Sequence, residues 1–405
     1  MVLSEDKTNS QECRPAVLIE RLTLVNIFYI ILVQRNISFI AYIGGNTVNH
    51  SLLEFLKKIR LLRNVRIKKL IYGDFRRSFN EIFEETHFHA NDRLFEKYSR
   101  SIYLAFGLKF LPDRHYELAV RQELFNRYTL GRVRCYIFLK KLSLQYNNIV
   151  LIPIDNEDIP ALLSPEYRTG NFRIPAFIRY SNVILDALKN MAYLFISFGF
   201  PLYLLFKGLV RGISFAGSQR KRYDVALDLQ KIGLKRDRGL DNEGNFFLYD
   251  ATPRFSPQNI LHIVRDELED EEAQKSLEKF GAPYIEVNHL KTPAGYFFSR
   301  LFLELFLTSI VRFPIICLMN IRTANYRHIL AIPIFAVIKM KTEAEILYEQ
   351  YDIGVFIARD EYSPFHIVRT IVANSYHNRT LGFQWADYFI RGIPLNYVYM
   401  NRYLV

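Results

Sequence analysis

Residues 352–388, DIGVFIARDEYSPFHIVRTIVANSYHNRTLGFQWADY, decide the expected fold because they read as a strand, a helix and a second strand. The short apolar run Ile353–Ala358 predicts the first strand. Ser363 is placed to cap the following helix, Pro364 suits its first turn, and apolar residues then recur at helical spacing. Thr380–Phe383 predicts the second strand, so the stretch indicates a β–α–β unit.

Two polar clusters follow the two predicted strands. Arg359–Tyr362 comes directly after the first strand, and Gln384–Tyr388 comes after the second. A crossover through one helix makes the two strands parallel, so their carboxyl ends meet at one edge of the sheet. Ligands of open α/β sheets bind outside that edge, and the two clusters are therefore predicted to form a candidate site.

The same stretch resembles the junction segment of GT-B-type transferases that build bacterial surface polysaccharides, and of the related teichoic-acid polymerases that transfer glycerol phosphate. In that family a helix start of the pattern R-D-x-Y-S-P-x-H-x-x-R-T-I-x-A-N is followed by a strand that ends in Q-H-G-D-Y. The residues of this chain that match the pattern are Arg359, Asp360, Tyr362, Ser363, Pro364, His366, Arg369, Thr370, Ile371, Ala373, Asn374, Gln384, Asp387 and Tyr388. Trp385-Ala386 stands where the relatives have His-Gly, and an indole has no basic nitrogen that accepts a proton.

The resemblance implies a glycosyltransferase of capsule, O-antigen or teichoic-type polymer synthesis. Such an enzyme takes a sugar from a nucleotide-sugar donor and gives it to a lipid-linked or polysaccharide acceptor. GT-B enzymes have two Rossmann-like domains, and the second normally holds most of the donor. Few residues follow Tyr388, so the resemblance implies only the acceptor-side half, truncated or inactive, with a separate donor-domain chain as one alternative.

The resemblance also implies roles for individual residues. Asp387 or Asp360 is the expected catalytic base, and His366 is the second choice. The residues expected to bind substrate are Arg359, Arg369, Gln384 and Tyr388. Each role has a structural alternative: Asp360 pairs with Arg359 or caps the helix, His366 packs on the first helical turn, and Arg369 forms a salt bridge. No cofactor and no metal are expected.

The composition predicts an anionic partner. Lys and Arg number 53 against 41 for Asp and Glu, which gives a net charge of +12, and 15% of the residues are aromatic. This balance fits a membrane surface, a phosphate-bearing substrate or nucleic acid. Because the sequence has no recognisable nucleic-acid-binding module, no nucleic acid is expected. The cysteines Cys13, Cys135 and Cys317 lack metal or CxxC spacing, which indicates a reducing compartment.

Two apolar segments predict contact with a membrane. Met191–Phe206 carries no charge, falls just short of the length that spans a bilayer, and is interrupted by Gly199 and Pro201. This pattern predicts a re-entrant or interfacial hairpin that is peripheral or monotopic on the inner face of the cell membrane, with a buried core helix as the alternative. Tyr296–Met319 is a second apolar segment and favours the same interpretation.

Three weaker signals receive structural interpretations. His87 and His89 alternate without a nearby third ligand, so zinc is not expected. The acidic residues 155–158 are interpreted as a loop rather than a metal site. Gly44-Gly45 after a predicted strand at 37–43 lacks the G-x-G-x-x-G pattern and is interpreted as a plain turn.

The predicted fold is α/β, with a Rossmann-like, mostly parallel sheet that forms half of a GT-B fold and a helical insertion that contacts a membrane. A helix is expected from Ser256 to about Phe280. The predicted segments are a flexible N-terminus (1–13), a first α/β part with a helical insertion (14–155), a helical membrane-associated segment (156–222) and a second α/β part (223–405). The competing functional hypothesis is a non-catalytic membrane-associated subunit that binds a partner transferase or an acceptor lipid.

Overall fold

A computed structural model of the 405-residue chain divides into two compact units. The first unit comprises residues 1–97 and 125–191, and the second comprises residues 98–124 and 192–405. The residues that the structure describes are 15–33, 37–45, 47–59, 62, 65–70, 86–163, 172–215, 220–229, 256–264, 275, 278, 283–319, 325–358, 364–383, 399 and 401–404.

The described secondary structure alternates strands with helices. The strands are β1 Ala16–Leu22, β2 Phe39–Gly45, β3 Arg66–Lys69, β4 Ile149–Ile152, β5 Phe172–Arg173, β6 Ile213–Ser214, β7 Lys221–Leu229, β8 Ile260–Val264, β9 Tyr284–Glu286, β10 Thr292–Pro293, β11 Tyr351–Ala358, β12 Arg379–Phe383 and β13 Arg402–Leu404. The α-helices are α1 Leu24–Val33, α2 Thr47–Lys58, α3 Thr86–Lys97, α4 Ile102–Phe110, α5 Tyr116–Leu124, α6 Leu130–Ser143, α7 Ile159–Leu162, α8 Ala176–Arg211, α9 Phe313–Met319, α10 Ala331–Gln350 and α11 Phe365–Ser375. Phe125–Thr129 and Tyr296–Arg312 are π-helical, and short 3-10 turns lie at Pro257–Asn259, Val287–His289 and His328–Leu330.

The first unit contains a five-stranded parallel sheet in the order β3-β2-β1-β4-β5. All four residues of β4 are buried, as are the first five of β1. Central parallel strands are covered on both faces, so they read as continuous apolar runs rather than alternating ones. The sequence therefore locates such strands well, and the strand predicted at 37–43 is confirmed as β2.

The second unit contains a six-stranded parallel sheet in the order β13-β12-β11-β7-β8-β9. The parallel pairing of β11 with β12 confirms the β–α–β unit predicted at 352–388. In β11 a Cβ atom added to Gly354 would lie 2.9 Å from the backbone oxygen of Asp224 in β7. Glycine therefore permits the close approach of these two neighbouring strands.

Both large sheets share one topology. In each, the first strand in the chain lies inside the sheet, and the strand order reverses beside it: β1 between β2 and β4, and β7 between β8 and β11. This is the doubly wound arrangement, so the chain is a mixed α/β protein compatible with a Rossmann-like fold. The sequence predicted one such sheet, and the structure has one in each unit.

The prediction of a helix from Ser256 to about Phe280 is wrong for residues 257–264. Pro257–Asn259 is a 3-10 turn, and Ile260–Val264 is strand β8, with all five residues buried. The Ser-Pro pair resembles a helix start, but the run ILHIV fills a central place between β7 and β9. Burial on both faces removes the alternation that would have identified it as a strand.

The predicted hairpin at 191–213 is also wrong, because α8 is one helix of 36 residues that contains Pro201. Proline removes one helical hydrogen bond, but tertiary packing holds the helix on both sides of it. Phe200 and Leu204 are buried, and the Phe200 ring stacks on Phe335 with centroids 4.7 Å apart. The helix therefore continues through Pro201, where the sequence predicted an interruption.

Among the described residues, two helical segments have the length and composition to cross a membrane. They are Ala176–Arg211, whose most apolar 18-residue window has a mean hydropathy of 1.6, and Tyr296–Met319, whose window has a mean hydropathy of 2.0. In each, only 28% of the most apolar window is buried within the protein. A helix in the core of a soluble protein would be mostly buried. Membrane contact by these helices stays a prediction.

Candidate functional site

The carboxyl edge of the second sheet carries a buried ion pair. Arg369, one turn into α11, donates through Nη1 to Oδ1 of Asp228, which lies near the end of β7. The guanidinium group also lies over the rings of Phe356 and Phe365, at 4.9 Å and 5.6 Å from their centroids. Charge and aromatic contacts together fix this arginine between strand and helix.

His366 and Tyr348 belong to the same region of the second unit. His366 is 1% exposed, so its imidazole is enclosed in the protein. The Tyr348 hydroxyl is buried without a hydrogen-bond partner among the described residues. Burial raises the pKa of Tyr348, Arg369 lowers it and Asp228 raises it further. The hydroxyl therefore lies within the field of the ion pair and stays protonated.

Only two of the seven residues predicted for this site are described. Arg369 and His366 are both buried on α11, which fits the structural alternatives of a salt bridge and of packing on the first turn. Their substrate and catalytic roles stay predictions. The other five predicted residues lie outside the described part of the chain: Arg359, Asp360, Gln384, Asp387 and Tyr388.

Replacing Arg369 with lysine is expected to destabilise the second unit by about 1–2 kcal/mol. Lysine keeps the charge, but it cannot stack a planar group on two rings while it pairs with Asp228. Urea unfolding measures the loss. Arg379 is exposed on β12, so Arg379→Lys is the matched control and should stay within about 0.5 kcal/mol of the wild type. Equal stability of both variants would contradict the structural role.

The carboxyl edge of the first sheet carries a second buried cluster, which the sequence reading did not find. Arg132 of α6 lies between two carboxylates, with its Nε 3.2 Å from Glu20 Oε1 and its Nη1 2.6 Å from Asp155 Oδ1. Glu20 belongs to β1, and Asp155 follows β4. The cluster therefore lies where the strand order of this sheet reverses.

The remaining oxygens of the two carboxylates have hydrogen-bond donors. The Ile154 amide donates to Glu20 Oε2 at 2.9 Å. The Tyr128 hydroxyl donates to Asp155 Oδ2 at 2.6 Å, and the Glu157 amide donates to Asp155 Oδ1 at 2.8 Å. A buried charge is tolerated when it is paired and hydrogen-bonded in this way.

The two carboxyl groups are shifted in opposite directions. Burial raises the pKa of Glu20 above its usual value, although Arg132 and the Ile154 amide oppose the rise. Burial also raises the pKa of Asp155, but Arg132, the Tyr128 hydroxyl and the Glu157 amide together outweigh burial and leave the pKa lowered. Opposed shifts are typical of acid–base pairs in active sites. Here both side chains are almost fully enclosed, which favours a role in fixing β1 against β4.

The predicted loop at 155–158 is confirmed, but it is not a simple solvated loop. Asp155 and Glu157 are both buried, and Lys97 of α3 forms an ion pair with Glu157. Within the described residues, no group of three His, Cys, Asp or Glu side chains is placed to hold a metal ion. His89 is exposed, and the side chain of His87 lies outside the described part.

Among the described residues, His50 places a half-buried imidazole at the carboxyl edge of the first sheet. It lies in the first turn of α2, where the Asn49 amide donates to the carbonyl of Leu22, the last residue of β1, at 2.9 Å. The Tyr42 hydroxyl of β2 hydrogen-bonds with His50 Nδ1. His50 is half-buried, and Nε2 is the ring nitrogen that Tyr42 does not engage. An imidazole held through one nitrogen can exchange a proton through the other.

The position of His50 after a predicted strand was a signal in the sequence. The interpretation of Gly44-Gly45 as a plain turn did not use this signal. Polar residues follow the strand predicted at 37–43, as Arg359–Tyr362 follows the strand predicted at 353–358. The rule that ligands bind at the carboxyl ends of strands applies equally to both positions.

No protein-family model, curated protein or solved structure matches this chain. The functional proposal therefore depends on the topology of the two sheets, on the polar groups at their carboxyl edges and on the motif at 352–388.

Proposed function

We propose that this protein is a GT-B-like glycosyltransferase that transfers a sugar from a nucleotide-activated donor to an acceptor of bacterial surface polysaccharide synthesis at the inner face of the cell membrane. The observation that carries the proposal is the pair of doubly wound parallel sheets, one in each unit. GT-B enzymes have two domains of this kind. The described part of the stretch 352–388 forms β11, α11 and β12 of the second unit.

The topology of the second sheet supports a donor site in the second unit. Its strand order reverses between β7 and β11, and open α/β sheets bind nucleotides outside the carboxyl ends of the strands at that place. Arg359–Tyr362 directly follows β11 in the sequence. Arg359 is the proposed partner of the donor diphosphate, because guanidinium groups bind phosphate oxygens in bidentate fashion.

The transfer itself needs a base. The acceptor hydroxyl oxygen forms a bond to the anomeric carbon, the bond from that carbon to the diphosphate oxygen breaks, and the hydroxyl proton goes to the base. The nucleoside diphosphate leaves with the bonding electron pair. Trp385 replaces the imidazole of the family motif, and His366 is enclosed. Asp387 and Asp360, which belong to the same stretch as Arg359, are the proposed bases.

Calorimetric titration of the full-length protein with a panel of donors tests the proposal. The panel contains UDP-, GDP-, dTDP- and CMP-sugars together with CDP-glycerol, and the matching nucleoside monophosphates are the controls. The expected result is binding of one donor class with a Kd between about 1 μM and 1 mM, typical of enzyme substrates. Absence of binding across the panel would contradict a donor site in this chain.

A non-catalytic membrane-associated subunit is the second candidate, favoured by the exposed apolar side chains of the two long apolar helices. Such a subunit would bind a partner transferase or an acceptor lipid without a donor. Lipid binding by a protein that ignores every donor of the panel would support this candidate over the enzyme.

A further inference from the structure

A small basic pocket lies among the helices of the second unit. It is lined by Lys207, Gly208 and Arg211 of α8, by Thr292 of β10, and by Lys339 and Glu343 of α10, together with apolar side chains. Its cavity volume is about 10 Å³, close to the least that one water-sized group needs.

The pocket has more positive than negative charge. Glu343 Oε1 lies 3.1 Å from Lys207 Nζ, 3.2 Å from Arg211 Nη2 and 4.0 Å from Lys339 Nζ. One carboxylate thus faces three cations, which leaves a formal surplus of two positive charges. Burial lowers the pKa of Lys207. The charges of Arg211 and Lys339 lower this pKa further, whereas Glu343 opposes the shift. An anion in the pocket would relieve this repulsion.

The neighbouring ion pairs do not cancel the surplus, because they are balanced among themselves. Glu345 lies 3.1 Å from Lys341 and 3.7 Å from Arg300, and Glu304 lies 3.4 Å from Lys341. Two carboxylates therefore meet two cations. The excess charge stays with the basic pocket.

Thr292 supplies an independent sign of a binding site. Its side chain is 0% exposed, and its hydroxyl has no hydrogen-bond partner among the described residues. A Cβ atom added to Gly208 would lie 3.3 Å from this oxygen, so the hydroxyl faces the glycine wall of the pocket. A buried hydroxyl normally has a partner, and an anionic oxygen in the pocket would provide one.

The helices that hold the pocket also carry an exposed apolar face. Lys207 and Arg211 alternate along α8 with exposed apolar side chains, and the π-helical segment Tyr296–Arg312 carries more. The exposed members of this apolar face are Leu202, Tyr203, Phe206, Leu209 and Val210 of α8, and Phe298, Phe302, Leu303 and Leu307 of the π-helical segment. Apolar side chains interleaved with cations complement a bilayer whose headgroups are anionic.

We propose that the basic pocket binds a phosphate oxygen of an anionic lipid headgroup while the apolar face lies in the adjoining bilayer. One phosphate oxygen enters beside Thr292 and Arg211, and the rest of the headgroup lies against Lys207 and the partly exposed Lys339. The inference rests on the proposed function and deepens it, because it names the lipid phosphate that would hold the same protein at the membrane.

Vesicle flotation of the full-length protein tests the proposal. Binding to vesicles that contain phosphatidylglycerol is compared with binding to phosphatidylcholine alone. Combined Lys207→Gln and Lys339→Gln substitutions are expected to weaken the anionic binding by about tenfold or more, because each lysine near the surface contributes on the order of a fivefold effect. Lys109 and Lys221 are exposed lysines of the same unit, and their double Gln variant is the control that keeps wild-type binding.

Thr292→Val separates a built site from general attraction to charge. Valine keeps the size of the side chain and removes the unpartnered hydroxyl, so the protein should melt no earlier than the wild type. Binding to anionic vesicles should nevertheless fall several-fold, while binding to phosphatidylcholine is unchanged. Wild-type anionic binding by Thr292→Val and by the double lysine variant would overturn the proposal.

Free phosphate is the other source of the same chemistry. Inorganic phosphate at the same concentration as phosphatidylglycerol should leave the protein on the vesicles, and release by it would overturn the lipid assignment in favour of a soluble phosphate ligand. The vesicle assay contains no nucleotide sugar. Its failure therefore contradicts the lipid site alone, whereas failure of donor titration contradicts the proposed transferase.

Discussion

Arg132→Met is expected to destabilise the first unit by about 3–5 kcal/mol, since it leaves the buried carboxylates of Glu20 and Asp155 without their shared cation. Hydrogen exchange of the backbone amides in β1 and β4 measures the loss of stability locally. Urea unfolding measures the free energy of unfolding of the whole protein. Arg121 pairs with Glu117 at the surface of a helix, so Arg121→Met is the matched control, with an expected cost under about 1 kcal/mol. A loss of similar size in both variants would contradict the account.

The cost of Arg132→Met is expected to depend on pH, because Glu20 and Asp155 both have shifted pKa values. The raised pKa of Glu20 means that the folded protein holds this proton more tightly than the unfolded chain, so this site favours folding as the pH falls through the folded pKa. The lowered pKa of Asp155 acts oppositely, and its contribution is lost as the pH falls below about 4. Without Arg132, protonation of Glu20 removes an unpaired charge. The destabilisation of Arg132→Met should therefore be smaller at about pH 5 than at about pH 7.

Adding Glu20→Gln to Arg132→Met is expected to recover part of the lost stability. The amide has the shape of the carboxylate and carries no charge that needs a cation. Recovery of about 1 kcal/mol or more by this second substitution supports charge pairing as the cause. A double variant that is less stable than Arg132→Met would show that packing, rather than charge, is the contribution of Arg132.

Asp387→Asn is expected to lower the rate of sugar transfer by about 10²- to 10⁴-fold, the range that a positioned general base contributes. Donor affinity should change little, because the carboxylate acts on the acceptor hydroxyl. Steady-state turnover and calorimetric titration measure the two quantities separately. Asp352 is exposed, and Asp352→Asn is the matched control with wild-type turnover.

Asp360→Asn distinguishes the two candidate carboxylates. If Asp387 is the base, Asp360→Asn should lower turnover less than Asp387→Asn does. Wild-type turnover in both variants would show that neither carboxylate of the motif is the base.

The sequence predicts the parts of this fold whose signals are local. The β–α–β unit at 352–388 was predictable because its strand patterns and its Ser-Pro helix start lie within one short stretch. Strand β8 was missed because a similar Ser-Pro pair precedes a buried run without alternation. The continuity of α8 through Pro201 depends on tertiary packing, which no local pattern contains.

The chemistry of the carboxyl edges was less predictable, because its partners are distant in the chain. Arg369 and Asp228 are 141 residues apart, and Arg132 and Glu20 are 112 apart. A single sequence gives each of these residues a charge but not a partner. The sequence also did not show that the chain has two sheets. The parallel pairing of β7 with β11 joins strands that are distant in the sequence.

Transfer of labelled sugar tests the central claim most directly. The full-length protein is incubated with each labelled nucleotide sugar and with bacterial lipid extract, and both the nucleoside diphosphate released and the label in the lipid or polymer fraction are measured. The proposed function predicts that one donor gives the two products in equal amounts, and that Asp387→Asn gives neither above background. A folded protein that transfers no label from any donor would contradict it.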